Sequence, residues 1–322
     1  ITGVYVGAHR SMENPKLGMV IFAISMLTNT FLNWVFIFGN LGAPALGVEG
    51  AALATLLSRT VEFVIMVTYA LTNARFRLKP ALLLRPGSAL LQKFVRYSGP
   101  VVLNETLWGL GNSLYKVVMG HMEGSTEILA ARALAGNMED LCTVAIFAIS
   151  GTTAIIIGRE IGAGRREQVY EMGAALNTMA MGCGLVIGLV LIGGAWWIFP
   201  GLVYPFFHLS SVSGGITTMM LTFTGVFLPL RAFNTVNTVG VLRGGGDVRA
   251  ATVIDLLPLW LVALPLAAIF GLGLKWGIFW VYVGIMMEST TKFFLGVPRF
   301  RSRAWINDVT QFSHVKEGEP SL

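Results

Sequence analysis

The sequence predicts an all-α protein, a polytopic bundle of membrane-spanning helices, and two observations carry this prediction. First, 54% of the 322 residues are hydrophobic and only 12% are charged, with a mean hydropathy of +0.69. A soluble core of this length cannot bury so much apolar surface. Second, eight apolar stretches follow one another, each close to the roughly 20 residues that a helix needs to cross a bilayer. Soluble enzymes, secreted binding proteins and nucleic-acid-binding proteins are thereby excluded.

The predicted spans are bounded by charged residues or by Gly and Pro, which interrupt apolar helices. In chain order they lie at 17–39, 50–72, 97–120, 128–158, 173–199, 213–242, 250–270 and 276–297. Residues 1–8 have the composition of the end of a further span. The runs predict helices rather than the strands of a β-barrel, which would be half as long and would alternate polar with apolar residues.

Lys and Arg predict the orientation of these spans. They are concentrated in alternate connections, whereas the intervening loops contain a single Lys or Arg, Lys275. Because cytoplasmic loops of membrane proteins are enriched in Lys and Arg, the basic connections should be cytoplasmic. We therefore expect a multi-pass protein of the inner (plasma) membrane with its carboxyl terminus in the cytoplasm, and with the lipid bilayer and a small molecule as its partners.

A weak internal repeat predicts two bundles. GVYVGAHR at 3–10 resembles GVLRGGGDVR at 240–249, and LGVEG at 46–50 resembles LGLKWG at 272–277. Such repeats are typical of transporters built from two bundles around a central cavity. If the copies are real, about 150 residues that would complete the first bundle are absent from the chain.

The predicted domains follow from this repeat and from the long basic stretch that contains Pro80 and Pro86. They are a partial N-terminal lobe at 1–72 (the end of span 4 and spans 5 and 6), a basic cytoplasmic linker at 73–96, a complete six-span C-terminal lobe at 97–297 (spans 7 to 12), and a cytoplasmic tail at 298–322.

Four stretches carry a family resemblance: FIFGNLGAPALGVEGAALAT at 36–55, IIIGREIGAGRREQ at 155–168, GVLRGGGD at 240–247 and DLLPLWLVALPLA at 255–267. With them the chain resembles the multidrug and toxic compound extrusion (MATE) family of cation-coupled exporters. The resemblance implies two six-helix lobes, alternating access, and an antiporter that exports amphipathic, often cationic compounds in exchange for sodium or protons. It implies no enzymatic activity, no cofactor other than the coupling ion, and no obligatory protein partner.

The chain departs from the family pattern at the expected ion site. Well-studied relatives carry a carboxylate about two turns beyond the Gly-Pro that opens the seventh span, and another in the tenth. Here Gly99-Pro100 is followed too early by Glu105, with Trp108 nearer the expected place. The tenth span offers Asn234 and Asn237 but no acid.

Ionisable residues within the spans predict the coupling site, because a charge in the bilayer centre costs about 2.5–3.5 kcal/mol on insertion scales and so needs a partner or a wet cavity. Helical geometry places Glu105 in line with Asn112 and Lys116, and Arg132 in line with Glu139 and Thr143. We predict that Glu105, Glu139 and Asp140 meet in the C-terminal lobe. The full set of candidate sodium or proton ligands is Glu105, Glu139, Asp140, Asn234, Asn237 and Asp255.

Other interpretations of these charges stay open. Arg132 and Arg231 could neutralise Glu139 and Glu105 as structural ion pairs. Arg59 with Glu62, and Glu288 with Lys292, are spaced to pair on their own helices. The substrate-cavity candidates beside the polar faces are Trp108, Asn112, Tyr115, Arg231 and Phe233.

Two alternative functions also remain. A flippase for lipid-linked oligosaccharides, from the related superfamily, would be favoured by a cavity rich in Arg that opens sideways to lipid. The chain could also be a truncated fragment that does not transport. An intramembrane enzyme is disfavoured because the four His are scattered without metal-ligand spacing.

Overall fold

The helical prediction is confirmed by the computed structural model, which describes residues 2–11, 16–72 and 88–307. These ranges contain helices and short connections and no β-strand. The helices are α1 (Thr2–Ser11), α2 (Lys16–Phe38), α3 (Val48–Thr72), α4 (Ser88–Gly120), α5 (Ser125–Gly162), α6 (Arg166–Phe206), α7 (Ser211–Leu242), α8 (Val248–Gly273) and α9 (Ile278–Arg301).

Each of the eight predicted spans falls on one of the helices α2 to α9. Among the described residues, six helices are long and apolar enough to cross a membrane: α2, α3, α5, α6, α7 and α8. The other two, α4 and α9, have 33 and 24 residues but are more polar. Their polarity comes partly from charged residues such as Glu105 and Lys292, which line a cavity.

Helices extend into two of the predicted connecting segments, while the predicted domain boundaries themselves stay a prediction. Residues 73–87 of the predicted linker, with Pro80 and Pro86, lie outside the described residues, but 88–96 form the start of α4. The predicted tail begins inside α9, which continues to Arg301. From residue 308 onwards the tail also lies outside the described residues.

The described residues form two compact units that divide after residue 90. In the first unit, α1, α2 and α3 pack together. Its small apolar core consists of Tyr5, Val6, Ile21, Met66 and Ala70. Gly50 at the start of α3 lies so close to Phe36 of α2 that a Cβ would overlap the Phe36 carbonyl oxygen. The first motif of the family resemblance therefore makes a tight turn between two packed helices.

In the second unit, formed by α4 to α9, α6 and α7 approach each other most closely through glycines. A Cβ on Gly188 would overlap the carbonyl oxygen of Gly225, and one on Gly184 would lie 2.8 Å from the carbonyl oxygen of Leu228. Small residues allow helices to pack closely in a membrane, where van der Waals contact replaces the hydrophobic effect between helices. The glycines thus bring α6 and α7 together as one side of the bundle.

The chain beyond α9 closes one end of this unit. Trp305 is fully buried, its ring stacks on Phe300 at 5.7 Å between centroids, and its indole N–H donates to the Phe300 carbonyl at 2.9 Å. The backbone N–H of Asn307 donates to the Gly245 carbonyl at 2.9 Å. We call Gly245, Phe300, Trp305 and Asn307 the Trp305 anchor. It ties the end of α9 to the glycine-rich turn between α7 and α8.

Three helices of this unit contain wide π-helical turns. They lie at Gly194–Ile198 in α6, Val236–Leu242 in α7, and Leu259–Ala263 and Ile269–Gly273 in α8. The turn Leu259–Ala263 directly follows Pro258, which has no N–H to donate to the regular ladder. Such turns occur frequently at functional sites, and the one in α7 adjoins the cavity described next.

Candidate functional site

The second unit encloses a cavity of about 430 Å³. Side chains from α4, α5, α7, α8 and α9 line it, together with Arg243, which directly follows α7 and continues its helical backbone. Four carboxylates, three arginines and one lysine stand on its wall beside aromatic rings. We call it the central cavity. Its charged residues are Glu105, Arg132, Glu139, Arg231, Arg243, Asp255, Glu288 and Lys292.

Glu139 of α5 is held by two arginines. Arg132, two turns earlier on the same helix, places its Nη1 3.4 Å from Glu139 Oε2. Arg231 of α7 donates from Nη2 to the other carboxylate oxygen, Oε1. Glu139 is only 8% exposed. We call these three residues the Glu139 cluster, which carries one positive charge in excess.

A second group of charges is centred on Asp255 of α8. The ammonium of Lys292 donates to Asp255 Oδ1 at 2.6 Å and lies 2.8 Å from Glu288 Oε1. Asn104 donates to Asp255 Oδ2 at 2.8 Å. The Tyr115 hydroxyl donates to Glu288 Oε2 at 2.9 Å. These contacts connect α4, α8 and α9.

Arg243 extends this group towards α4. Its Nη1 donates to Glu105 Oε1 at 2.9 Å, and its Nη2 lies 3.8 Å from Asp255 Oδ2. We call Glu105, Arg243, Asp255, Glu288 and Lys292 the Asp255 network. It contains three carboxylates and two cations, so its net charge is −1. The net charge of +1 on the Glu139 cluster, across the cavity, balances it.

The structure corrects the predicted arrangement of acids. Glu105 and Glu139 do not meet, because each is bound to a different arginine. Asp140 is exposed and, together with Glu139, lines a neighbouring cavity of about 480 Å³, so these two of the three predicted acids share a cavity. Carboxylates repel each other strongly in a medium of low dielectric constant. Glu105 and Glu139 therefore lie apart, each next to an arginine from another part of the bundle. The role of these acids in coupling remains a prediction.

The two predicted amides occupy different places. Asn234 lies on the cavity wall and donates to the Ser289 carbonyl of α9 at 2.8 Å. Asn237 is absent from that wall: it accepts a hydrogen bond from Asn177 at 3.2 Å and packs by Gly296. The π-helical turn Val236–Leu242 begins just before Asn237 and changes the direction of its side chain relative to ideal helical spacing.

Four of the five predicted substrate contacts line the central cavity: Trp108, Asn112, Tyr115 and Arg231. Phe233 does not. It is buried, and its ring meets Phe293 of α9 edge-on at 5.0 Å. Phe147 and Tyr282 contribute aromatic surface that the sequence interpretation did not single out.

Three of the four predicted ion pairs form, and the fourth, Arg231 with Glu105, is wrong. Arg132 pairs with Glu139, but Arg231 also binds Glu139 and leaves Glu105 to Arg243. The spacing-based pairs Arg59–Glu62 and Glu288–Lys292 both form, at 2.7 and 2.8 Å. The contact of Lys292 with Asp255 was missed, although opposite charges in consecutive spans were a signal for it.

Comparison with known proteins gives the class to which this site belongs. The family model described as MatE matches residues 100–269, more than half of the chain. The chain therefore belongs to the MATE family, whose members are membrane transporters and not enzymes. Family membership and the apolar helices together establish a multi-pass membrane protein, while the cytoplasmic position of its carboxyl terminus stays a prediction.

Particular relatives show the extent of the likeness. The chain is 25% identical to the uncharacterized transporter YisQ of Bacillus subtilis, over 85% of this chain and 58% of that protein. It is 23% identical to the probable multidrug resistance protein NorM of Thermotoga maritima, over 95% of this chain and 64% of that protein. The chain thus spans about three-fifths of the length of these curated relatives.

A solved structure shares the fold. A MOP superfamily transporter from Pyrococcus furiosus superposes with a TM-score of 0.80 at 20% identity, over 95% of this chain and 67% of that chain. The all-helical architecture derived from the sequence is therefore that of a known transporter fold.

Proposed function

We propose that the intact protein is a secondary active transporter that exports amphipathic, often cationic organic compounds in exchange for sodium or protons. The observation that carries this proposal is the central cavity, where ion pairs from five helices stand inside an otherwise apolar bundle. The naming of the Thermotoga maritima relative as a probable multidrug resistance protein supports the same class of substrate.

The size and lining of the cavity suit such a substrate. Small-molecule sites generally have volumes of about 300–1,000 Å³ and combine apolar walls with a few polar groups, and the central cavity has about 430 Å³. Trp108 is 41% exposed beside it. An aromatic face attracts organic cations through the negative face of its ring, while the carboxylates provide charge complementarity.

The ion pairs provide a physical route for coupling. Each carboxylate on the cavity wall is bound to a cation on another turn or another helix. A proton or sodium ion that neutralises Glu139 or Asp255 weakens the pairs that connect α5 with α7, or α8 with α9. Ion binding would thus change the relative stability of two arrangements of the helices, which is the requirement for ligand-driven conformational change.

One observation favours the flippase alternative, namely that three arginines line the cavity. However, each of them already contacts a carboxylate: Arg132 and Arg231 contact Glu139, and Arg243 contacts Glu105. The anionic headgroup of a lipid-linked sugar would have to displace these carboxylates. The relative named as a probable multidrug resistance protein favours export of organic compounds instead, which is therefore our first proposal.

Transport by vesicles tests the proposal. The intact protein is reconstituted, and the movement of a labelled cationic dye is followed with a sodium gradient, a pH gradient or neither. We expect dye movement that depends on one of the gradients and is lost in Asp255→Asn. Glu167→Gln, which changes an exposed acid outside the cavity, serves as the control and should transport normally.

Two further measurements test the flippase and the non-transporting fragment. Gradient-independent movement of a lipid-linked oligosaccharide, with no movement of the dye, would replace the exporter proposal with the flippase. Reconstitution of the 322-residue chain alone tests whether this length transports without further helices. If the intact protein moves dye equally with and without gradients, the exchange mechanism is wrong.

A further inference from the structure

Lys292 occupies an unusual position for a lysine in a membrane bundle. It is only 8% exposed, and its ammonium contacts two carboxylates at once, Asp255 at 2.6 Å and Glu288 at 2.8 Å. A buried lysine requires such compensation, since burial of an unpaired charge costs several kcal/mol. Two acids around one ammonium nevertheless leave this triad with a negative charge in excess.

The surroundings of the triad are rich in oxygen. Asn104 is 1% exposed and donates through Nδ2 to Asp255, but its own Oδ1 has no hydrogen-bond partner. The Tyr115 hydroxyl lies 2.9 Å from Glu288. Buried acceptors without partners are rare in folded proteins because their desolvation is not compensated. The Asn104 side chain, which contacts Asp255, therefore adds a buried oxygen without a hydrogen-bond partner next to the triad.

The chemistry of these oxygens does not distinguish an ammonium from other univalent cations. Carboxylate and amide oxygens are the ligands that hard cations prefer, and a lysine ammonium is a compact point charge on a flexible stem. The Lys292 ammonium also stands on the wall of the central cavity, so a cation that enters the cavity can reach the same oxygens. The neighbouring Arg243 donates to Glu105 at 2.9 Å, and its second nitrogen, Nη2, lies 3.8 Å from Asp255 Oδ2.

We propose that Lys292 is a tethered counter-ion, and that a univalent cation binds to the oxygens of Asp255 and Glu288 in its place. The cation is sodium or the ammonium group of an organic substrate. The inference rests on the proposed function and adds to it a site and a mode of exchange. Return of the Lys292 ammonium expels the bound cation, and entry of a cation expels the ammonium, because the two compete for one pair of carboxylates.

Equilibrium binding of cations to the purified intact protein tests this competition. Radioactive sodium and radioactive methylammonium are the two probes. Lys292→Met removes the internal competitor, so we expect the Kd of one probe to fall by about tenfold or more. The increase in affinity should disappear in Lys292→Met/Asp255→Asn. Lys292→Arg, which keeps the charge, should bind both probes with wild-type affinity.

Each result decides the proposal. Tighter binding of sodium identifies the site of the coupling ion, and tighter binding of methylammonium identifies a substrate subsite. Wild-type affinity of Lys292→Met for both probes would make Lys292 a structural residue and overturn the inference. If Lys292→Met does not fold, Lys292→Gln is measured in the same way, since its amide cannot replace the ammonium charge.

A matched control and an independent readout complete the experiment. Arg299→Met breaks an ion pair of 2.6 Å with Asp247 that lies outside the central cavity, and it should leave both affinities unchanged. Because binding is measured without a gradient, the result does not depend on transport. A failure of dye export would contradict the proposed function and would leave the test of Lys292 intact.

Discussion

Arg231 of α7 donates a hydrogen bond to the carboxylate of Glu139 on α5, across 92 residues of sequence. Arg132 binds the other oxygen of the same carboxylate. Two guanidinium groups thus depend on one buried acid for their neutralisation. The consequence is an asymmetry: loss of Glu139 leaves two cations without a partner, whereas loss of one arginine leaves an ion pair.

Glu139→Gln should destabilise the protein and abolish gradient-dependent export. Removal of one partner from a buried ion pair costs about 3–5 kcal/mol, since the remaining charge stays uncompensated. Thermal unfolding of the purified protein measures the loss of stability, and dye movement in vesicles measures export. Arg132→Met, which leaves the Glu139–Arg231 pair in place, should be less destabilising than Glu139→Gln.

A double variant separates structure from coupling. Glu139→Gln/Arg231→Met removes one of the two stranded charges, so it should be more stable than Glu139→Gln alone while still failing to export. Equal stability of the two variants would show that Arg231 does not depend on Glu139. Normal export by either one would exclude Glu139 from the mechanism.

Asp255→Asn and Glu105→Gln should differ strongly, although both remove a cavity acid. The Asp255 side chain is 18% exposed and contacts Lys292, Asn104 and Arg243. The Glu105 side chain is 59% exposed and binds Arg243 alone among the described residues. We expect Asp255→Asn to cost about 3 kcal/mol or more, and Glu105→Gln no more than about 1 kcal/mol because solvent screens an exposed pair. Thermal unfolding measures both variants, and equal midpoints for Asp255→Asn and Glu105→Gln would contradict this ranking.

Trp305→Ala should lower the stability of the second unit by about 3–5 kcal/mol, because it leaves a large cavity beneath the glycine-rich turn. The matched control is Trp197→Ala, since Trp197 is 83% exposed while Trp305 is fully buried. That change should alter stability by no more than about 0.5 kcal/mol. Thermal unfolding of both variants in the same detergent checks the prediction, and similar midpoints would show that the Trp305 anchor contributes little.

Gly188→Ala should destabilise the contact between α6 and α7. The added methyl group would overlap the Gly225 carbonyl oxygen, and overpacking of this kind costs about 1–3 kcal/mol. Gly182, on the same helix, has no neighbouring atom within 4 Å of the place that an alanine methyl group would take. Gly182→Ala should therefore stabilise the helix by about 0.5–1 kcal/mol. An increase in stability for both variants would contradict the close packing of these helices.

The sequence was sufficient to predict the helices and their order, because each helix is a long apolar run between charged or glycine-containing breaks. Contacts set by local spacing were also predictable, as Arg59–Glu62 and Glu288–Lys292 show. Helical periodicity determines which residues share a face. It does not determine how that face is rotated against a neighbouring helix.

The unpredicted contacts depend on this rotation and on irregular turns within the helices. Arg243 and Glu105 are 138 residues apart, and Arg243 follows the π-helical turn Val236–Leu242, which interrupts the regular spacing of the helix before it. Asn237 was misplaced because a π-helical turn interrupts the regular spacing of α7. Phe233 shares the helix with Arg231, yet it packs against α9.

The wide turn Val236–Leu242 in α7 has a consequence for how the cavity can move. Arg231, which holds Glu139, precedes this turn, and Arg243, which holds Glu105, follows it. A π-helical turn interrupts the regular backbone ladder and is a common place for a helix to bend. The two arginines thus lie on opposite sides of a flexible turn in one helix. Bending at this turn would let the segment with one arginine move away from its carboxylate while the other ion pair stays intact.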